Sequence, residues 1–150
     1  MTKSKVINNR TADENGNITR EMAREAVRTL IRWAGDDPDR AGMQETPNRV
    51  LDFYKDFFTG YASHPADYAA SIANDVAYDD FILIKDIRLA SFCEHHMLPA
   101  TGHAHIAYIP RGKVAGIGTI ARIATDCARR FTTQETATAD IAHTIDRAFA

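Results

Sequence analysis

Phe81-Ile82-Leu83-Ile84-Lys85-Asp86-Ile87 and Gly102-His103-Ala104-His105-Ile106-Ala107-Tyr108-Ile109 flank the run Ser91-Phe92-Cys93-Glu94-His95-His96. This stretch decides how the chain is read. The first segment is rich in branched and aromatic residues and predicts a strand. The second alternates, with His103, His105, Ala107 and Ile109 projecting one way and Ala104, Ile106 and Tyr108 the other, so it predicts a second strand. Residues 88–101 hold the chemical groups and a turn at Leu98-Pro99. A further turn falls at Arg111-Gly112.

Outward from the strands the period becomes helical. On the N-terminal side, Thr19 caps a helix over 20–34 whose apolar positions are Ala23, Val27, Leu30, Ile31 and Ala34; Gly35 and Pro38 stop it. Thr46-Pro47 starts a second helix, a cap followed by proline at the first helical position. Val50, Phe53, Tyr54, Phe57 and Phe58 form its apolar face, and Gly60 ends it. A short helix is expected near Tyr68 to Asn74. On the C-terminal side, a helix from Gly116 carries Ile117, Ile120, Ala124, Cys127 and Phe131 on one face and Arg122 and Arg129 on another. Thr132 and Glu135 match a capping box, and a last helix turns Ile141, Ile145, Ala148 and Phe149 inward. Residues 1–17 are polar and read as a disordered arm, leaving 18–150 as the folded part.

The order helix, helix, strand, strand, helix, helix predicts an α+β fold. Two strands alone leave two open edges, so further strands are either missing or supplied by a partner chain. The 150 residues match one ordinary domain, and 45% hydrophobic with 25% charged residues fits a globular core. A net charge of −2 gives no general attraction to nucleic acid or to an anionic membrane. Two cysteines make no disulfide framework, and no apolar run resembles a signal peptide or a membrane span, so a cytoplasmic location is expected.

Cys93 and His96 are three residues apart, a spacing that in a helical turn puts both side chains on one side of the backbone. A thiolate and an imidazole together favour zinc. His95 projects elsewhere and is free to act as a general acid or base, and Glu94 can orient a histidine. Two ligands fall short of the three or four that zinc requires. His103, His105 and Cys127 are candidates for the remainder. Strand histidines are more often plain surface residues, and the apolar face around Cys127 favours a core cysteine.

At Ser91-Phe92-Cys93-Glu94-His95-His96 the sequence resembles the GTP cyclohydrolase I family. The resemblance continues through Tyr108-Ile109-Pro110, Ile120-Ala121-Arg122 and Thr133-Gln134-Glu135, and includes Glu45-Thr46-Pro47-Asn48-Arg49-Val50 and Thr59-Gly60. It implies a tunnelling fold (T-fold) with N-terminal helices, assembled into a homodecameric ring with active sites between subunits. It implies zinc-dependent opening of the guanine ring of GTP, release of formate and closure to 7,8-dihydroneopterin triphosphate, the first step of folate or tetrahydrobiopterin synthesis. On this resemblance Cys93 and His96 are zinc ligands and His95 is the proton-transfer residue. Glu135 reads the guanine edge with Gln134 beside it, and Arg122 and Arg49 surround the triphosphate. The guanine role of Glu135 competes with its capping-box role, since one carboxylate cannot do both.

The pattern also departs from the family. The resemblance implies a third zinc ligand, a cysteine two residues after a histidine, on two strands beyond the last helix; no His-x-Cys occurs in the chain, and those strands are expected to be missing. Gly118-Thr119 stands where the family has Ser-Lys, and Asp52 where some members have lysine. A charge-assisted phosphate contact is worth about 1.5–3 kcal/mol, so these changes weaken a triphosphate site. Three readings follow: a truncated or divergent GTP cyclohydrolase I, an inactive homologue serving as an oligomeric binding or regulatory subunit, and a small zinc protein of unrelated fold.

Overall fold

Thr19 accepts a hydrogen bond of 2.8 Å from the Met22 amide and opens α1, Arg20–Trp33, the first element of the computed structural model. The structure describes residues 18–64, 71–73 and 77–149, so the polar arm expected over 1–17 lies outside the described residues. Two compact units divide the chain, Met1–Phe58 and Thr59–Ala150.

In the first unit α1 packs against α2, Thr46–Phe57. Gly35 ends α1 at φ +96°, a left-handed conformation that costs glycine little. Ala23, Val27 and Ile31 are half-buried, but Leu30, expected inward, is 61% exposed. The cap of α2 is Glu45 rather than Thr46. Thr46 takes the first helical position, and its hydroxyl meets Met43 Sδ at 3.5 Å instead of capping. The helix ends at Phe57, before Gly60, and a 3-10 turn at Phe58–Tyr61 follows.

Among its described residues the second unit holds five strands and two α-helices. The strands are β1, Ser71–Ala73; β2, Ile82–Cys93; β3, Pro99–Tyr108; β4, Lys113–Ala115; and β5, Phe131–Thr132. The helices are α3, Ile117–Ala128, and α4, Gln134–Phe149. A three-stranded sheet runs β3-β2-β5, with β2 and β3 antiparallel and β5 parallel to β2. β1 and β4 form a separate antiparallel pair. Ser71–Ala73 is thus extended where a helix was expected, and the rest of that expected helix lies outside the described residues except as β1 itself.

β2 runs six residues past the expected end at Ile87, because a bulge interrupts its alternation. The register slips between Ile84 and Ile87, and Asp86 adopts φ +61°. The extra residue turns Ile84, Ile87 and Leu89 all toward the core. The Asp86 amide, freed from the ladder, donates to His105 Nδ1 at 3.2 Å.

The core of this unit gathers Ile87 of β2, Ile120, Ile123, Ala124 and Cys127 of α3, and Ile141, Ile145 and Phe149 of α4. Ala104, Ile106 and Tyr108 of β3 pack against it, as their alternation predicts. Ile117 is 71% exposed and Phe131 belongs to β5, so α3 buries a shorter face than its sequence suggests. Phe131 instead meets the buried Phe92 ring edge-on at 6.0 Å. Among the described residues, no helix is long and apolar enough to cross a membrane.

Candidate functional site

The Cys93-Glu94-His95-His96 run closes the hairpin between β2 and β3. It is a turn at the end of a strand rather than part of a helix. The Met97 amide donates to the Cys93 carbonyl at 2.9 Å and the Cys93 amide to the Leu98 carbonyl at 2.8 Å. Met97 sits at φ +55° to complete the reversal. The i-to-i+4 bond makes a single helix-like turn, so the geometry expected from the spacing survives in a different element. Cys93 Sγ lies 3.6 Å from His96 Nδ1. Pro99 begins β3, placing the turn earlier than Leu98-Pro99.

The imidazole of His96, with the backbone amides of His95 and His96, lowers the Cys93 thiol from 9.0 to about 7. Stabilisation of the thiolate is what a metal-ligating cysteine requires. Cys127 differs in every respect. It is 3% exposed in the core, 3.9 Å from the Thr144 hydroxyl, and burial pushes its thiol up. It is the core cysteine that its neighbours in sequence suggest.

β5 holds this turn from the side. Cys93 pairs with Thr132 in parallel register, and the Glu94 amide points at the Thr132 carbonyl at 3.4 Å. The corner preceding β5 is clamped in turn. The Phe131 amide donates to the Tyr61 hydroxyl at 3.0 Å, and Arg130 Nε donates to the Gly60 carbonyl at 3.0 Å. From β5 the chain passes directly into α4.

α4 is capped by Thr133, whose hydroxyl accepts from the Thr136 amide at 3.1 Å. The capping box expected between Thr132 and Glu135 does not form. Thr132 is 7% exposed and donates its hydroxyl to the Thr133 carbonyl at 3.1 Å. Glu135 is exposed, with no side-chain partner among the described residues, so the competition between capping and ligand roles disappears.

A groove of about 1310 Å³ runs between the β2–β3 hairpin and α4, and Cys93, His95, Gln134 and Glu135 all line it. His96 does not; it turns to Cys93 while the neighbouring His95 ring lies 6.4 Å away, nearly perpendicular. His95 Nε2 is 3.7 Å from the Glu94 carboxylate, beyond hydrogen-bond distance and an ion pair only with a protonated imidazole. Thr132, Thr133 and Ser91 also line the groove, although the sequence reading gave none of them a role in the site. Thr132 in particular is brought in by a two-residue strand with no periodic signal of its own. His103 and His105 line the groove, yet no three His, Cys, Asp or Glu side chains converge on a metal position among the described residues. Cys93 and His96 therefore provide two donors of the right chemistry for zinc, half of a tetrahedral set.

Two arginines are expected to meet phosphates. Arg122, exposed on α3, faces Asp126 at 3.9 Å and does not line the groove. Arg49 is exposed on α2 in the first unit.

The sequence model of the GTP cyclohydrolase I family matches residues 23–150. Proteins named GTP cyclohydrolase 1 from Brucella suis (strain ATCC 23445 / NCTC 10510), Brucella abortus (strain S19) and Brucella melitensis biotype 2 (strain ATCC 23457) are each 51% identical to the chain over 126 residues. Each alignment covers 83% of this chain and 59% of the relative, so the chain spans under two thirds of the length of the curated relatives it matches. With the Cys93–His96 turn and the Gln134-Glu135 helix start falling within the matched residues, the chain belongs to the GTP cyclohydrolase I family.

Proposed function

We propose that this chain carries the catalytic core of a zinc-dependent GTP cyclohydrolase I, converting GTP to 7,8-dihydroneopterin triphosphate and formate in folate or tetrahydrobiopterin synthesis. The observation that carries the reading is the convergence of Cys93 Sγ and His96 Nδ1, 3.6 Å apart, beside the groove lined by His95, Gln134 and Glu135. Cys93 and His96 would hold zinc. Zinc there would supply a water acidic enough to deprotonate near neutral pH.

The other roles follow from chemistry at stated atoms. The Glu135 carboxylate accepts hydrogen bonds from the N1–H and exocyclic amine of guanine together, a pairing that adenine cannot offer. Its place in the first turn of α4 sets that carboxylate beside the positive helix end. Gln134 adjoins it. The His95 ring, exposed in the groove and 3.7 Å from Glu94, moves a proton to or from the opening imidazole ring. Arg122 and Arg49 meet the triphosphate. The Arg122–Asp126 pair at 3.9 Å is exposed on the arginine side.

The tunnelling fold and a homodecameric ring complete the reading. The described residues provide two zinc donors and no carboxylate-free cationic cluster in the groove itself, which fits active sites assembled from more than one subunit. A cytoplasmic setting suits both the thiolate and the GTP supply.

The second reading, an inactive homologue that binds nucleotide as an oligomeric or regulatory subunit, is favoured by Asp52 and by Gly118-Thr119 at the positions expected to meet phosphate. Zinc content and the appearance of an oxidisable, fluorescent pterin from GTP separate the two. Stoichiometric zinc with turnover supports the enzyme. Zinc-poor protein without turnover, but of ring size by light scattering, supports the inactive subunit. His95→Ala should leave metal content intact and abolish turnover; unchanged turnover removes His95 from the mechanism.

A further inference from the structure

We propose that a second, basic hollow in the Thr59–Ala150 unit, lined by Arg88, His103 and Arg129, binds a phosphate-class oxyanion. The hollow measures about 590 Å³ and is completed by Thr101, Gly102 and Thr125. Arg88 and His103 are direct partners across the β2–β3 ladder, so the sheet register itself sets the cation beside the imidazole. Arg129 reaches the same hollow from the C-terminal cap of α3.

Charge balance sets the hollow apart from the paired arginines of the first unit. Arg24, Arg28 and Arg40 in the first unit each face a carboxylate within 3.0 Å. None of the described residues lining the hollow is acidic. Arg129 donates to the Thr59 hydroxyl at 3.4 Å, a contact that neutralises no charge. The C-terminus of α3 contributes a partial charge of about −0.5, too little to offset two guanidinium groups. Guanidinium forks match the oxygens of a phosphate, and the Thr101 hydroxyl and the imidazole can donate to the remaining oxygens, the Thr125 hydroxyl being engaged by the Ala121 carbonyl at 2.8 Å. Gly102 leaves the floor open, since a methyl group added there would meet nothing within 4 Å.

This site is independent of the zinc reading and of Arg49 and Arg122. It does adjoin the larger groove, with Leu89, Thr101, Gly102 and His103 lining both. Its oxyanion can therefore be the phosphate end of a nucleotide lying in the groove or a separate phosphate.

The test is calorimetric titration of the metal-free chain with inorganic phosphate and with inorganic triphosphate at low ionic strength, where exposed charges are least screened. Arg88→Gln combined with Arg129→Gln should weaken both anions by about tenfold or more, whereas Arg32→Gln in the first unit should not. Thermal melting of each variant guards against misfolding, and Arg88→Gln alone should give an intermediate loss. Competition between phosphate and GTP assigns the hollow to the nucleotide's phosphates; simultaneous binding assigns it to a separate phosphate, and either supports the site. Equal anion affinity in the double variant and the parent, or no binding of either anion to the parent, overturns the proposal. Neither result depends on zinc or turnover, so failure here is distinct from failure of the cyclohydrolase reading.

Discussion

Cys93 Sγ and His96 Nδ1 face each other at 3.6 Å across the turn that joins β2 to β3. Proximity of the imidazole, reinforced by the backbone amides of His95 and His96, brings the Cys93 thiol down from 9.0 to about 7. A folded-state value below the unfolded one means the contact stabilises the protein fully above pH 9 and loses that contribution as pH falls through about 7. The same titration governs metal capture, because a proton competes with zinc for the sulfur. Alkylation of the metal-free chain by iodoacetamide, followed residue by residue with mass spectrometry, should inflect near pH 7 at Cys93 and hardly touch the buried Cys127. His96→Ala should move the Cys93 inflection upward toward 9.0. A wild-type inflection already near 9.0 would falsify the assigned contact.

Thr133, and not Thr132 with Glu135, caps α4. Thr133→Ala should therefore cost about 1 kcal/mol of stability, read from the urea midpoint, by releasing the Thr136 amide. Glu135→Ala should cost only a few tenths, the share of a charge in the first turn of a helix. The opposite ranking would restore the capping box.

How much of this could be read beforehand depended on whether a signal was local. Thr19 and Gly35 bracket α1, and the alternation of Ala104, Ile106 and Tyr108 gives the buried side of β3, because caps and periodicity are written within a few residues. The bulge at Asp86 hid the second half of β2, since one extra residue reverses the phase that alternation relies on. β5 was invisible for another reason: two residues carry no period, and their strand character exists only through pairing with Phe92 and Cys93. Within the candidate site, the Cys93–His96 spacing was legible as a facing pair, although its turn was assigned to the wrong kind of element. Thr132 and the Tyr61 clamp were not, because both reach the site through contacts between segments remote in sequence.

Gly60 shows how tightly that clamp is built. It is buried, and a methyl group at its α-carbon would overlap the carbonyl oxygens of Asp126 and Arg129 at the end of α3. Backbone carbonyls cannot swing aside as a flexible side chain can. Gly60→Ala should thus lower stability by about 1–3 kcal/mol, seen as a fall in melting temperature. Gly102→Ala, in open space on β3, serves as the comparison and should be neutral or slightly stabilising. Equal effects at the two positions would mean that the Gly60 contact is not close in solution.

Glu135 offers the sharpest separation between a structural and a ligand-binding residue. It lies in the first turn of α4, exposed, lining the groove with Gln134 and Cys93, and makes no side-chain bond among the described residues. Glu135→Gln keeps the shape and removes the charge. Stability should fall by no more than about 0.3–1 kcal/mol, the worth of a carboxylate near a helix N-terminus. Binding of a guanine nucleotide should fall much further, by about tenfold or more, because an amide can no longer accept from both N1–H and the exocyclic amine. Adenine nucleotide binding should change little, since adenine lacks that paired donor edge. Titration of both nucleotides against the parent and the variant reads the difference directly. Parallel losses for guanine and adenine would assign Glu135 to the helix rather than to the base.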